Sequence, residues 1–327
     1  MSPRASMRRV RVLVTATLAA GAGLLMLAPS GIAHAEPTPQ AIERQIRTES
    51  AKLEQVVEEY NRINEELGAT KAAADKVAAD LGPLTQQLSE ASDRLARFAA
   101  YAYAGGQLVE MSSILDAGDP STLVDRMATI NQIAVFSDAE IAAFTDAKTR
   151  HDGEAAKLQG LIADQTAKQK SLADQKSKID TDLKRLYELR RQAYGRAQAA
   201  RPTGPAPTPP QVSGRAGIAV QFAYGALGTP YRWAGSGPDG YDCSGLTQAA
   251  WRAAGVSLPH NAAMQYNALP KISRSALSPG DLVFYNSLGH VGIYVGNGQI
   301  IHSPHAGDYV RLASVDMMRP YGYARPG

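Results

Sequence analysis

Cys243 is the only cysteine in this 327-residue sequence and its strongest candidate for a nucleophile. A single thiol forms an intermolecular link, is an inert buried residue, or is reactive. The segment from Asp242 to Arg252 has a helical pattern, with Asp242 suited to the N-cap. A thiol in the first turn of a helix lies beside free N–H groups, which favour the thiolate and lower its pKa. The sequence therefore predicts a thiolate at position 243, with backbone donors nearby for an oxyanion.

Two histidines are candidates for the base that such a nucleophile needs. His290 begins a segment that alternates as a strand does, and His302 lies on the next predicted strand. If the turn at Gly296–Gly298 has three residues, positions 292 and 302 pair and both imidazoles share one face. A two-residue turn places them on opposite faces. The first register predicts His290 as base, with His302 fixing its tautomer.

Two further histidines have weaker assignments. His305 lies three residues after His302 and takes its place if the register slips. His260 follows Leu258-Pro259, and the expectation for it is a solvated loop, with a position in the cleft as the alternative.

Residues 215–327 have the pattern of an α+β domain, with helices first and a small antiparallel sheet after them. They contain eight basic and five acidic side chains. The predicted helices are Ala216–Leu227, the segment from Asp242 and a short one after Pro259; the predicted strands are Leu282–Tyr285, Val291–Val295, Gln299–His302 and Val310–Ala313.

Residues 36–200 have a different pattern, which predicts long amphipathic helices. Apolar side chains recur at steps of three and four over 40–104 and again over 158–189. Two such stripes can bury each other in an antiparallel coiled-coil hairpin, with a solvated spacer rod as the alternative. Pro83 is expected to kink or interrupt the first helix because it lacks a backbone donor.

The segment between the stripes, residues 101–135, is apolar, and its composition is more varied than a helical rod requires. Gly105-Gly106 is expected to end the first helix, and Asp119-Pro120-Ser121 to start a short one. The segment either folds onto the hairpin or offers a partner surface, for which Leu123 and Met127 are candidates.

Residues 201–214 hold five prolines and predict a semi-rigid linker. Residues 1–35 carry four arginines and no acid, then an uncharged run that ends at Ala33-His34-Ala35. This pattern predicts a secretory signal peptide, with an uncleaved membrane anchor as the alternative. Without these arginines the chain is nearly neutral, so the basic pI gives no argument for nucleic-acid binding.

The C-terminal motifs resemble those of the NlpC family of papain-like cell-wall endopeptidases. The resemblance covers nearly all of residues 215–327 in family order. It implies a papain-like fold and a Cys-His-polar triad, here Cys243, His290 and His302. It also implies cleavage of peptidoglycan stems after D-Glu, at the γ-linked bond to diaminopimelate. The matching segments are Tyr231–Gly235, Asp242–Leu246, Ser278–Tyr285, Gly289–Gly296 and Ile301–Pro304.

The same resemblance implies further roles near the thiol. Tyr231 matches a tyrosine that assists the oxyanion, and Asp242 and Ser244 match residues near the substrate. A plain N-cap is the alternative for Asp242. Some related enzymes have Glu at the third triad position, so the identity of that residue varies.

The helical half with its Pro-rich linker resembles mycobacterial RipC-type septal hydrolases. This resemblance implies a secreted, wall-associated enzyme of cell separation, whose helical part regulates it. It also implies docking through residues 101–135 on the extracellular loop of the division transporter FtsEX.

No cofactor is expected, because one cysteine and scattered histidines lack the paired spacing of a zinc site. Two other functions compete with the endopeptidase. One is a non-catalytic, wall-binding coiled-coil scaffold. The other is a different thiol acyltransferase on the same fold, such as an amidase.

Overall fold

The computed structural model describes residues 38–104, 120–201 and 207–327. The predicted signal peptide, part of the linker and much of the apolar segment 101–135, including the side chain of Leu123, lie outside the described residues. Within the described ranges, no helix is both long enough and apolar enough to cross a bilayer.

Two long helices form the N-terminal half: α1, Pro39–Tyr103, and α2, Pro120–Tyr194. They run antiparallel, since residues late in α1 meet residues early in α2. Arg94 Nε lies 3.0 Å from Glu140 Oε2, and Thr70 Oγ1 donates to Asp164 Oδ2 at 3.1 Å. At the other end Tyr194 donates to Glu43. The predicted antiparallel helical pair is confirmed.

Two details of these helices differ from expectation. Helix α1 is one element that contains Pro83, so the proline does not interrupt it. The missing donor costs one hydrogen bond, which the packing along the rest of the helix outweighs. The helix expected to be short at Pro120 instead continues to Tyr194. Apolar residues in its first half come in runs such as Ile133–Phe136 instead of at regular steps of three and four, so periodicity alone did not reveal it.

The C-terminal domain begins with three helices: α3, Gly214–Gly225; α4, Cys243–Ala253; and α5, Ala262–Ala268. A six-stranded antiparallel sheet follows, in the order β1-β6-β2-β3-β4-β5. Its strands are β1, Lys271–Ile272; β2, Leu282–Tyr285; β3, His290–Gly296; β4, Gln299–His302; β5, Arg311–Ser314; and β6, Gly322–Ala324. The predicted α+β class with an antiparallel sheet is confirmed.

Helix α4 packs against the sheet and thereby fixes the position of its first residue. Its buried face includes Leu246 and Trp251, which join Phe284, Val291 and Ile293 of the sheet in one core. The indole of Trp251 donates to the carbonyl of Gly280 at 3.2 Å. Burying apolar surface stabilises this arrangement by about 25 cal/mol per Å², which holds the start of α4 beside β3.

The base of the helical pair packs directly on the C-terminal domain. Leu53 and Val57 of α1 share a buried cluster with Leu186 of α2 and Ala306 of the β4–β5 connection. The ring of Tyr60 meets the indole of Trp233 edge-on, with 5.3 Å between ring centroids. The linker therefore does not hold the two parts of the chain away from each other.

Candidate active site

The thiol of Cys243 lies at the start of α4, as the sequence predicts. Asp242 is the N-cap and accepts from the N–H of Gly245 at 2.7 Å. The backbone N–H of Val291, the residue after His290, acts to lower the pKa of the thiol. Cys243 is therefore held between the first turn of α4 and the beginning of β3, and only 3% of its surface is exposed.

The two predicted triad histidines lie in contact on one face of the sheet. His290 Nε2 and His302 Nδ1 are 2.9 Å apart, and the rings are nearly perpendicular. The register agrees with the first alternative, since Ile293 pairs with Ile301. The turn nevertheless has two residues, Asn297 and Gly298, because Gly296 pairs with Gln299. A bulge between Tyr294 and Gly296 supplies the extra residue that restores the shared face.

A base at His290 requires one particular tautomer of this pair. For Nδ1 of His290 to accept a proton, its Nε2 must carry one and donate it to Nδ1 of His302. His302 then carries its own proton on Nε2. Among the described residues, the two remaining nitrogens, His290 Nδ1 and His302 Nε2, are buried without hydrogen-bond partners. The free Nδ1 of His290 can thus serve as a base.

The remaining site residues of the sequence surround the thiol. The hydroxyl of Tyr231 is buried, and the charges of Asp242, Cys243, Glu54 and Glu58 all raise its pKa further above its usual value. A phenol that keeps its proton can donate to a developing oxyanion.

Helix α1 inserts a stripe of polar side chains into the cleft above the thiol. This cleft-facing stripe comprises Glu54, Glu58, Asn61 and Glu65. Glu58 Oε1 accepts from the thiol of Cys243 at 3.4 Å and from Ser244 Oγ at 2.6 Å. Its Oε2 accepts from the N–H of Ala262 at 2.6 Å. Asn261 Nδ2 donates to the backbone carbonyl of Glu58.

The other members of the stripe contact the same site. Asn61 Nδ2 donates to Asp242 Oδ2 at 2.9 Å, and Glu65 accepts from the backbone N–H of His260 at 2.9 Å. Glu54 Oε1 lies 3.6 Å from His290 Nδ1, which is beyond hydrogen-bond length. The stripe therefore covers the thiol from the side of α1.

Comparisons with known proteins agree on one family. Residues 228–322 match the NlpC/P60 family. Probable endopeptidase Rv2190c of Mycobacterium tuberculosis (strain ATCC 25618 / H37Rv) is 30% identical over 361 residues, which cover 89% of this chain and 90% of that protein. The chain belongs to the NlpC/P60 family.

Other similar proteins match a smaller share of the chain. Probable endopeptidase p60 of Listeria monocytogenes is 48% identical over 84 residues, 25% of this chain and 17% of that protein. The crystal structure of the NlpC/p60 domain of peptidoglycan hydrolase SagA is 38% identical; the match covers 33% of this chain and 97% of that chain, with a TM-score of 0.32.

The protonation state of this NlpC/P60 thiol differs from expectation. The helix start predicts a lowered thiol pKa, but the pKa of Cys243 is raised well above its usual value. Burial is the largest cause, and the charges of Glu58, Asp242 and Glu54 add to it. The prediction is wrong for this arrangement because α1 removes water and adds two carboxylates.

The pKa of His290, the predicted base, is shifted in the opposite direction. Burial, then the charge of His305, lowers the pKa of His290 to about 3, although Asp242 acts to raise it. The pKa of His302 is also lowered, first by burial. With α1 in the cleft the pair is a thiol and a neutral imidazole, so the expected thiolate–imidazolium ion pair is not the state that the structure describes.

The pKa values of the inserted carboxylates, Glu54 and Glu58, are also shifted. The pKa of Glu58 is raised to about 7, chiefly by burial and by the charge of Asp242, against hydrogen bonds from Ser244, Ala262 and Cys243. The pKa of Glu54 is also raised, by burial and by Glu58. Each carboxylate therefore holds its proton more tightly inside the cleft than in water.

The structure also places the two remaining predicted histidines, His260 and His305. His260 does not lie in a solvated loop: its Nε2 is 2.8 Å from Asp242 Oδ1, and the side chain is 14% exposed. That expectation is wrong because α1 and the start of α4 enclose the loop. His305 Nδ1 contacts the carbonyl of Ala306, and the nitrogen that meets His290 belongs to His302.

The insertion of the cleft-facing stripe was not predicted from the sequence. Its members are spaced by four, three and four residues, which places them on one face of a helix. A solvated acidic face has the same spacing, so the pattern alone does not distinguish exposure from insertion.

Proposed function

We propose that this chain is an exported peptidoglycan endopeptidase that hydrolyses the D-Glu(γ)–diaminopimelate bond of wall stem peptides. Cys243 is the nucleophile, His290 the base and His302 the residue that orients it. The observation that supports this most is the 2.9 Å contact between His290 Nε2 and His302 Nδ1. It leaves His290 Nδ1 free beside the strand residue that contacts the sulfur.

The reaction is acyl transfer. The proton of the Cys243 thiol passes to His290 Nδ1, and the sulfur attacks the carbonyl carbon of the scissile amide. Backbone donors at the start of α4 and the hydroxyl of Tyr231 stabilise the oxyanion. His290 then gives its proton to the leaving amine, so the C–N bond breaks and a thioester remains. Water, deprotonated by His290, hydrolyses the thioester and restores the thiol.

Asp242 and Ser244 act on the acyl side of the scissile bond in this scheme. Glu58 occupies the place next to them, where its carboxylate accepts from Ser244 Oγ and the N–H of Ala262. The same donors suit a free carboxylate of a substrate.

The helical region, residues 36–200, holds the enzyme inactive in this proposal. Support comes from the position of Glu58 on the thiol and from the raised pKa of Cys243 beneath it. Docking both excludes substrate and removes the thiolate. Residues 215–327 carry the catalysis, and 201–214 is the linker that lets the two parts separate.

Export and a division partner complete the proposal. Residues 1–35 are the secretory signal. The distal end of the helical pair binds an FtsEX-type transporter through residues 101–135, which places the enzyme in cell separation. Support comes from exposed apolar side chains on α2, where Met127 and Val135 are each 61% exposed. Large exposed apolar residues are typical of interaction sites.

The test is digestion of purified peptidoglycan by the mature chain, residues 36–327, carrying Glu58→Ala to open the cleft. Mass spectrometry of the fragments should show new D-Glu carboxyl and diaminopimelate amino ends, and Cys243→Ala in the same background should release none. Fragments cut at the muramyl–L-Ala bond would identify an amidase instead. Fragments that are identical with and without Cys243→Ala would support the non-catalytic scaffold.

A further inference from the structure

The carboxylate of Asp242 creates an electrostatic problem for the nucleophile beside it. Asp242 is fully buried, and its Oδ1 is fixed by the N–H of Gly245. It precedes Cys243 directly in the chain. A thiolate formed there lies next to an existing negative charge, and like charges at close range disfavour each other. The site therefore needs a positive charge close to Asp242.

His260 is placed to supply that charge. Its Nε2 lies 2.8 Å from Oδ1 and 3.0 Å from Oδ2 of Asp242. The other groups that donate to this carboxylate are the neutral Asn61, Ser244 and Gly245. Within the part of the chain that the structure describes, His260 is the one group in salt-bridge range of Asp242 that can be positively charged.

Close packing forms this pair, which is not an incidental surface contact. A Cβ added to Gly245 would meet the carbonyl oxygen of Gly235 at 2.1 Å, His260 Nε2 at 2.8 Å and Asp242 Oδ1 at 2.9 Å. Real Cβ atoms essentially never approach this closely, so the absence of a side chain at Gly245 lets the imidazole lie across the first turn of α4.

The charged groups that face His260 are all acidic. They are Asp242 at the start of α4, and Glu58 and Glu65 on α1. Burial lowers the pKa of His260, but these three carboxylates outweigh it and the pKa is raised above 6.5. The protonated pair is therefore complete below about pH 6.5 and is lost as pH rises through the raised pKa.

We propose that His260 is a positioning residue for the reaction, whose imidazolium neutralises Asp242 and so permits the thiolate at Cys243. When the imidazole loses its proton, the charge of Asp242 is uncompensated and less thiolate forms at a given pH. This inference rests on the proposed function only in taking Cys243 as the nucleophile. Arginine at this position would keep the positive charge at every working pH.

The experiment measures thiol ionisation directly, by alkylation with iodoacetamide, because the chain has one cysteine. The protein is the full mature chain with Glu54→Ala and Glu58→Ala, which removes the two inserted carboxylates from the titration and opens the cleft to the reagent. Its alkylation rate is compared with that of the added variants His260→Gln and His260→Arg over about pH 5 to 10. His260→Gln should raise the apparent pKa of the thiol by about one unit, which is about tenfold in rate near pH 7.

His260→Arg should retain the fast rate and give a single-step titration. The parent should give a broader curve, since His260 loses its charge within the range. Identical profiles for all three proteins would overturn the inference. Thermal unfolding shows whether His260→Gln folds. If it does not, His260→Arg still tests the inference, because its alkylation curve should be sharper than that of the parent and have its midpoint at lower pH. A curve identical to that of the parent would overturn the inference.

The same comparison in a chain that also carries Asp242→Asn distinguishes charge pairing between His260 and Asp242 from a purely structural role of His260. Asp242→Asn keeps the N-cap, since asparagine caps helices as well as aspartate does. In that background His260→Gln should leave the apparent thiol pKa unchanged. An equal rise in both backgrounds would show that His260 does not act through Asp242, and the inference would fail.

This readout requires no wall substrate, so the two proposals fail separately. Alkylation that follows His260 as described, with peptidoglycan left uncut, contradicts the endopeptidase and leaves the inference intact. Peptidoglycan cut at the proposed bond, with alkylation independent of His260, contradicts the inference alone.

Discussion

Glu58 Oε1 lies 3.4 Å from the sulfur of Cys243, and the two residues come from opposite halves of the chain. The contact joins the N-terminal third of a 65-residue helix to the first turn of α4. The same carboxylate also accepts from Ser244 and Ala262, so three contacts hold it beside the thiol. Under the proposed inhibition, these contacts must break before a substrate enters. The regulation of this enzyme is therefore expected to depend on a small number of named contacts.

Removing the carboxylate of Glu58 should activate the full mature chain. Glu58→Ala deletes three hydrogen-bonded contacts that hold α1 in the cleft, and buried hydrogen bonds of this kind are worth about 1–3 kcal/mol when one partner is lost. The rate of peptidoglycan hydrolysis should rise at least about tenfold. The matched control is Glu59→Ala on the same helix, whose carboxylate is exposed and pairs with Arg62. Equal rates for both variants and the parent would contradict the inhibitory role.

The contribution of Glu58 to the docking of α1 should weaken as pH rises. The pKa of Glu58 is raised to about 7 in the cleft from 4.5 in water, and that of Glu54 is shifted in the same direction. A group whose pKa is raised by docking stabilises the docked state fully below about pH 4.5, and this stabilisation is lost as pH rises through about 7. The lowered pKa of His290 acts in the opposite direction, so the comparison is between the parent and Glu58→Gln. Hydrogen exchange of residues 50–65, corrected for its intrinsic pH dependence, should show that the extra protection of the parent over Glu58→Gln falls between about pH 5 and 8. An extra protection that grows with pH would contradict the sign.

His302 and His305 should differ sharply in their effect on hydrolysis. In the Glu58→Ala chain, His302→Ala removes the acceptor for His290 Nε2, so the base loses its fixed tautomer. Hydrolysis should fall by about 10²-fold. His302→Gln should recover part of the rate, because the amide oxygen can accept the same proton. His305→Ala is the control and should change the rate little. A larger loss for His305→Ala would transfer the orienting role to that residue.

The distal end of α2 should be required for binding the extracellular loop of an FtsEX-type transporter. Met127→Glu and Val135→Glu place charges on exposed apolar positions and should abolish capture of the loop by the full mature chain. Ile162→Glu is the matched control, since Ile162 is also exposed but lies further along α2. Binding that survives both distal substitutions would place the partner elsewhere, and no binding by the parent would remove the proposal.

The sequence predicted the local arrangement of the site well, because local patterns determine it. Asp242 caps α4 and places Cys243 in its first turn, as N-cap chemistry requires. The shared face of His290 and His302 also agreed with prediction, although through a two-residue turn with a bulge. Strand alternation fixes which side chains share a face, but it does not reveal where an extra residue is accommodated.

Contacts between distant parts of the chain could not be predicted in this way. Glu58 and Asn61 have the spacing of an ordinary polar helix face, and nothing local links them to residues 242–262. The ionisation of Cys243 could not be predicted for the same reason, because it depends on a distant part of the chain. The start of α4 favours a thiolate, but burial beneath α1 dominates once the helix is in place.

Burial of Cys243 also bears on how long the protein survives before it is used. Oxidation to sulfenic acid and beyond begins at an accessible thiolate, and this chain has no second cysteine to reverse it by forming a disulfide. A thiol that is protonated and covered by Glu58 reacts slowly with peroxides. Docking of helix α1 thus protects the chain's single cysteine from oxidation. Oxidation of the thiol is expected to begin when the helix leaves the cleft, not when the protein folds.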